Sequence, residues 1–313
     1  MPLTIAVTGA FGYSGKVIAE LLLARGDHVR TLTNSPNRPH PFGSRVEVHP
    51  LAFDNPDRLA DSLRGCDVLI NTYWVRFNHK LFTFAQAIDN TRRLFAAAKA
   101  GGVRRIVHTS ILKPDEGRGL AYYDGKLALE QSLLDTGLPC SILRPGVLFG
   151  RGDILVNNIA WVFRHLPLFG IFGDGRYRLA PLHVEDFANI AVRAADADPA
   201  LDQTIDCHGP ETFEYRDLVH RIGEVIGIQR PIVSVPPTLG YLVSKLLNPF
   251  VGDVIITREE IAGLMRGLLF STKPSLGPTR LTDWAAANRD TLGRRYASEV
   301  ARRVQRAVEY EKI

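Results

Sequence analysis

Tyr122 and Lys126 stand four residues apart in a stretch whose apolar spacing predicts a helix. At that separation two side chains share one helical face. Ionising an ordinary phenol at pH 7 costs about 4 kcal/mol, because its pKa lies near 10. An ammonium ~4 Å away, at an effective dielectric of 20, supplies about that much. Such a pair is suited to holding or moving a proton. The same spacing recurs at Tyr241 and Lys245, so position must separate the two. Tyr122 and Lys126 fall between the fifth and sixth predicted strands, whereas Tyr241 lies beyond the sheet and reads as packing.

A second set of residues points to an anion. Thr8-Gly9-Ala10-Phe11-Gly12-Tyr13-Ser14-Gly15 sits between an apolar strand and an amphipathic helix. Gly9 permits a tight turn, Gly12 lets backbone approach a pyrophosphate, and Gly15 allows close packing of helix on sheet. The helix N-terminus adds N–H groups. The bland alternative is a pair of tight turns, but the motif's place directly after the first strand favours a dinucleotide. NAD proteins usually carry an acid at the end of the second strand, for the ribose 2′-hydroxyl. Here that strand ends Leu32-Thr33-Asn34-Ser35 with Arg38 close behind. NADP(H) is therefore favoured over NAD(H), although Arg38 also reads as a solvated loop charge.

These residues need a scaffold. Leu3–Val7, Val29–Thr33, Val46–His49, Val68–Asn71, Arg105–Thr109 and Cys140–Leu143 are predicted strands, alternating with amphipathic segments as in βα units around a parallel sheet. Val17, Ile18, Leu21 and Leu22 form one apolar face, with Gly26 as a left-handed stop. Asn55 before Pro56 reads as an N-cap, and Gly101-Gly102 ends a helix that begins near Phe84. The predicted fold class is α/β, a doubly wound parallel-sheet Rossmann fold. Residues 1–150 form the NAD(P)-binding core. Residues 151–313 form a smaller substrate-binding and helical C-terminal region, with some segments returning to the core.

The chain has 313 residues, 45% hydrophobic and 23% charged, the composition of an ordinary globular protein. Cys66, Cys140 and Cys207 lie too far apart for a CxxC metal or redox motif, so no metal is expected and the thiols read as free in a reducing compartment. The opening lacks a basic region followed by an apolar one, which argues against a secretory signal and for the cytoplasm. Uncharged stretches such as 231–244 are too short to span a bilayer. A formal charge of +5 is spread out, and its densest cluster, Arg294 to Arg306, reads as a helix face; nucleic acid is not an expected partner.

Residues 3 to about 230 resemble the extended and atypical short-chain dehydrogenase/reductases, which are epimerase/dehydratase-like. The resemblance rests on the glycine motif, Ile70-Asn71-Thr72, Thr109-Ser110, Tyr122-xxx-Lys126, Ile142-Leu143-Arg144-Pro145-Gly146 and Val184-Glu185-Asp186. Within the group the chain is most similar to the branch of the NADPH-binding accessory subunit of respiratory complex I and its bacterial relatives. The resemblance implies Tyr122 as acid/base, Lys126 on the nicotinamide ribose, and Ser110 as the group that polarises substrate. Pro145 and Val147 would flank the nicotinamide. Phe11, Tyr13, Ser14, Asn34, Arg38, Phe53, Asn71, Thr72, Tyr73 and Thr109 would line the cofactor. Two departures bear on catalysis: Ile111 stands where extended members place a hydroxyl, and the gap from Ser110 to Tyr122 is short. Ala52 replaces an aspartate that many relatives turn to adenine.

Asn157, Trp161 and Arg164 fall at helical spacing, and Arg178 follows a Gly-Asp-Gly turn; they read as a polar pocket for a small-molecule substrate or as an ordinary helix face and strand edge. His108 and His183 have no ligand-spaced partner and read as structural. Three functions compete: an enzyme acting by hydride transfer on a carbonyl or hydroxyl, a non-catalytic NADP(H)-holding structural or sensor protein, and a membrane-peripheral quinone-associated oxidoreductase. The last is motivated by the apolar runs 239–250 and 264–270, which otherwise read as domain core or as the face of a homodimer.

Overall fold

The computed structural model describes residues 2–196, 198 and 203–313. Six strands arise from the first part of the chain: β1 (Thr4–Thr8), β2 (His28–Thr33), β3 (Val46–Pro50), β4 (Val68–Asn71), β5 (Arg105–Thr109) and β6 (Cys140–Pro145). A seventh strand, Gln203–Cys207, joins the edge at β6, so the order runs seventh, β6, β5, β4, β1, β2, β3. The pairings recorded among β1 to β6 are all parallel. Ile5, Ala6 and Val7 of β1 are fully buried, as is expected of a central strand covered on both faces.

Helices α1 (Tyr13–Arg25), α2 (Pro56–Asp61), α3 (Phe84–Ala100) and α4 (Ala121–Leu134) connect successive strands. Leu59 of α2, Leu94 and Phe95 of α3, and Leu129 and Leu133 of α4 share a core with Ala6, Leu32, Leu69, Ile106 and Ile142 from the sheet. The local signals act as their chemistry requires. Asn55 accepts from the N–H of Arg58 and Pro56 follows it, Thr83 and Gln86 form a capping box on α3, and Gly26 ends α1 at φ 92°.

The order reverses between β1 and β4, which opens a crevice at the carboxyl ends of those strands, the usual place for a ligand in such a sheet. The chain divides into two compact units. The first comprises Met1–Pro145, Phe187–Asp206 and Arg306–Tyr310; the second comprises Gly146–Asp186, Cys207–Gln305 and Glu311–Ile313.

In the second unit α5 (Leu155–His165) and the helix Tyr215–Val225 pack through Val156, Ile159, Phe163, Leu218, Val219 and Ile222. A parallel ribbon of Phe169–Phe172 with Ile232–Val235 adds Phe169 and Ile171 to that core. Of the two ordinary readings of the run 239–250, domain core does not hold: Leu239, Leu242, Val243, Leu246 and Phe250 of the helix Pro237–Val251 are exposed, with Phe250 at 86%. The helix docks by its opposite side, where Gly240 lies so close to Phe172 that a Cβ would sit 2.5 Å from that ring. The later run does supply core through Leu268 and Leu264.

Candidate dinucleotide site and the Tyr122–Lys126 pair

The crevice floor is a knot of hydrogen bonds between β1 and β4. Thr8 donates its hydroxyl to the side-chain carbonyl of Asn71 (2.9 Å) and accepts from the N–H groups of Thr72 (2.7 Å) and Tyr73 (3.1 Å). Thr72 returns its hydroxyl to the Thr8 carbonyl (2.6 Å). Asn71 also bonds His108 Nδ1 on β5 (3.0 Å). All three of Thr8, Asn71 and His108 are buried, so the strand ends are fixed in register before any ligand arrives.

Above this floor the glycine loop is packed to its limit. Gly9 adopts φ +71°, and the N–H of Gly12 donates to the Gly9 carbonyl (2.8 Å). A Cβ on Gly15 would stand 2.3 Å from that same oxygen, and one on Gly12 at 3.2 Å. The first turn of α1 carries neither an acidic residue nor a side-chain cap, leaving its dipole for an external anion. Tyr13 and Ser14 open that turn, half-buried. Phe11 is buried and stacks on His40, ring centroids 3.9 Å apart, which ties the loop after β2 to the glycine loop. Asn34 lies exposed at the end of β2, and Arg38 is buried at 5% exposure, its N–H on the Ser35 carbonyl. Phe53 packs against Tyr73 at 5.1 Å, and its carbonyl accepts from Arg93. These features fit a dinucleotide: Gly9 at positive φ, Gly15 where a side chain would collide, an open helix start, and a cation where a carboxylate is absent.

Lys126 is the unusual charge of the first unit. It is 2% exposed, donates to the Thr109 carbonyl (2.8 Å), and holds its Nζ 4.4 Å from the centre of the Trp74 ring. Burial pulls its pKa down to about 7, against the opposing pull of Glu130. His108 is also held well below the ordinary imidazole range, by burial first and by Lys126 second, so it stays neutral. Tyr122, one turn before Lys126, is clasped edge-on by Trp74 (5.7 Å) and Phe84 (5.8 Å). The orientation of its ring is thereby set by packing.

Ser110 is 2% exposed and donates its hydroxyl to Glu130, which also receives the Arg144 guanidinium at both carboxylate oxygens. Glu130 and Arg144 were missed by sequence reasoning although signals existed, since Glu130 lies at i+4 from Lys126 and Arg144 lies inside the quoted Leu-Arg-Pro-Gly run. Trp74 and Phe84 carried no signal beyond being aromatic. Pro145 is buried, its carbonyl accepting from Leu112 (3.0 Å). Val147 belongs to the second unit, where its carbonyl accepts from Leu182 (2.8 Å).

The substrate candidates gather in the second unit but hold its own chain together. Asn157 bonds the Arg295 carbonyl and the Gly293 N–H. Arg164 bonds the Leu292 and Arg289 carbonyls, Trp161 stacks on His165 and meets Tyr296 edge-on, and Arg178 lies over Phe270. Tyr241 is likewise a packing surface, with Lys245 and Arg258 over its ring.

Residues 9–154 match the NAD(P)H-binding family. That segment is an NAD(P)H-binding domain. Over 284 residues the chain is 24% identical to the NADH dehydrogenase [ubiquinone] 1 alpha subcomplex subunit 9 of Arabidopsis thaliana, covering 85% of this chain and 70% of that one. Its fold resembles the Citrobacter sp. triphenylmethane reductase complexed with NADP(H), with a TM-score of 0.74, 18% identity and coverage of 91% and 99%. The NADPH-dependent quinone oxidoreductase QOR2 of Escherichia coli, complexed with NADPH, is similar at 0.72, 20%, 92% and 99%. These likenesses show the fold of the chain, a Rossmann-like α/β scaffold around the NAD(P)H-binding domain. Among the described residues no helix is long and apolar enough to cross a membrane, and no cluster of three or more His, Cys, Asp or Glu is arranged to hold a metal.

Proposed function

We propose that the protein is an NADP(H)-dependent oxidoreductase that reduces a carbonyl or oxidises a hydroxyl of a small molecule. The observation that carries this reading is the buried Lys126 ammonium one helical turn from an aromatically clamped Tyr122. A bound nicotinamide supplies or accepts the hydride. In the reducing direction Tyr122 gives its phenolic proton to the substrate oxygen as the hydride reaches the substrate carbon. Lys126, held by Thr109 and Trp74, favours the phenolate that remains. The phosphorylated cofactor is supported by Arg38 and by the lack of a carboxylate at Thr33-Asn34, and the two reductases of similar fold carry NADP(H) or NADPH. Three buried free cysteines are in keeping with a reducing, cytoplasmic compartment.

A second reading, a cofactor-holding protein without turnover, is favoured by one observation: the Ser110 hydroxyl is committed to Glu130. Tyr122→Phe separates the two, because it keeps the ring packing and removes the proton. An unperturbed phenol is only ~0.1% ionised at pH 7, so the enzyme reading requires Tyr122 to be tuned. Expected for the enzyme are unchanged NADPH affinity and loss of turnover by at least ~100-fold on a panel of ketones, quinones and nucleotide sugars, with Lys126→Ala losing both. A wild type that binds NADPH and turns over nothing on the panel supports the holding role. Full turnover by Tyr122→Phe removes the tyrosine from the chemistry. Arg38→Ala is expected to weaken NADPH while sparing NADH; equal affinities of the wild type for both would sink the preference.

A further inference from the structure

Five residues near the end of the chain, Arg306–Tyr310, group with the dinucleotide-binding unit although Gln305 and Glu311 on either side group with the other. Their contacts fall on the loop after β2 and on the start of α1. Arg306 donates through Nη1 to the carbonyl of Asn34 (3.1 Å), a bond spanning 272 residues of sequence. The Tyr310 ring lies under the Arg38 guanidinium, 5.5 Å from Cζ to ring centre. Its other neighbour is Tyr13, the first residue of α1, nearly parallel at 13° with centroids 6.4 Å apart. Pro36, Asn37 and Pro39 around Arg38 are exposed, yet Arg38 itself is buried. A guanidinium over an aromatic face keeps its N–H groups, which lie in its own plane, directed outward for a planar or tetrahedral oxyanion.

We infer that the chain's own C-terminal segment completes the ribose-phosphate end of the dinucleotide site: Tyr310 orients Arg38, and Arg306 brings a second guanidinium to Asn34, for a phosphate monoester. The inference rests on the reading of the site as one for NADP(H), and deepens it by assigning the residues that recognise the phosphate. Asn34 and Arg38 lie where the second strand ends, the position at which dinucleotide folds distinguish a 2′-hydroxyl from a 2′-phosphate. Two cations there, one of them fixed by stacking, suit a dianion better than a neutral hydroxyl. The segment also closes over the first turn of α1 through Tyr13, so it bears on departure of the cofactor as well as on its choice.

The test measures equilibrium affinity and dissociation rate of NADPH and NADH on the full chain, wild type against Tyr310→Ala, Arg306→Ala and Tyr310→Phe. Thermal midpoints confirm that each variant is folded. Expected is a rise of about fivefold to tenfold in both NADPH Kd and off-rate for each alanine variant, the scale of one cation–π or charge-assisted contact. NADH affinity stays within about twofold, and Tyr310→Phe behaves as wild type because it keeps the ring. Alanine variants that hold NADPH as the wild type does overturn the inference and leave the proposed cofactor intact. So does tighter binding by the variants, which makes the segment a competitor, or an equal loss of both dinucleotides, which removes the phosphate from the argument. A wild type that binds neither dinucleotide, or both equally, overturns the NADP(H) reading and this inference together.

Discussion

A lysine buried to 2% exposure is costly when charged, since desolvation opposes the ammonium and a single cation–π contact returns only ~1–2 kcal/mol. The protein retains it at Lys126, against Trp74 and the Thr109 carbonyl, while Glu130 four residues on is taken up by Ser110 and Arg144. The cost has a measurable sign. Lys126 is pulled from an ordinary 10.5 down to about 7, so between those values the unfolded chain binds a proton that the folded chain does not. Stability therefore rises with pH through that window, by up to ~1.4 kcal/mol per pH unit, and the penalty is fully present below it. Lys126→Met removes the titrating group and keeps an unbranched apolar side chain. Denaturant melts at pH 7 and pH 9 are expected to show the wild type gaining on the variant as pH rises. A constant difference between them would mean that Lys126 keeps an ordinary pKa. A residue that lowers stability at neutral pH and touches the proposed reaction centre is easier to explain by function than by folding.

At the scale of elements, the turn between β1 and α1 is defined by what cannot fit there. Gly15→Ala sets a methyl 2.3 Å from the Gly9 carbonyl, whereas at Gly12 the same group would stand at 3.2 Å. The first is expected to force helix from sheet at a cost of ~1–3 kcal/mol, as overpacking generally does. Gly12→Val is expected to leave the circular dichroism spectrum folded and to abolish NADPH binding in calorimetry; unchanged affinity there would remove the glycine loop from the site. This loop was legible in the sequence because steric need writes itself as glycine. Strands Val68–Asn71 and Arg105–Thr109 were legible because a strand buried on both faces carries a continuous apolar run, here Val68-Leu69-Ile70 and Ile106-Val107. The strand Gln203–Cys207, which reads QTIDC, has no such run and sits at an edge, so its sequence resembles a loop. Partner choice is hidden for a different reason. Nothing in Thr109-Ser110 says that the hydroxyl will turn to Glu130 twenty residues on. The Asn157, Trp161 and Arg164 spacing reads as a helical face, but a spacing does not say that Asn157 and Arg164 will bond the chain's own carbonyls.

At the scale of the whole molecule, the dinucleotide-binding unit is not a continuous stretch of chain. Arg105, on β5 and 2% exposed, sends Nε to the Ala194 carbonyl (3.0 Å), Nη1 to that of Asp198 (3.1 Å) and Nη2 to Ser141 (2.6 Å). Two of those three acceptors lie some ninety residues downstream, in the segment Phe187–Asp206 that the first unit recruits. The same segment carries the strand that covers the outer edge of β6. A fragment ending at residue 150 holds the glycine loop, Tyr122 and Lys126, but lacks the later segments that return to the core. It would strip the Arg105 guanidinium of the Ala194 and Asp198 carbonyls and bare a strand edge, and each is unfavourable: a hydrogen bond to a charged group contributes ~1.5–3 kcal/mol, and an open edge invites pairing with other chains. Against a net stability of typically ~5–15 kcal/mol, the fragment is expected to lack a cooperative thermal transition and to self-associate, while the full chain melts sharply. Near-ultraviolet circular dichroism and sedimentation of the two would decide it. A fragment that is monomeric, melts cooperatively and binds NADPH would show that Arg105 and the seventh strand are accessories to a core that closes without them.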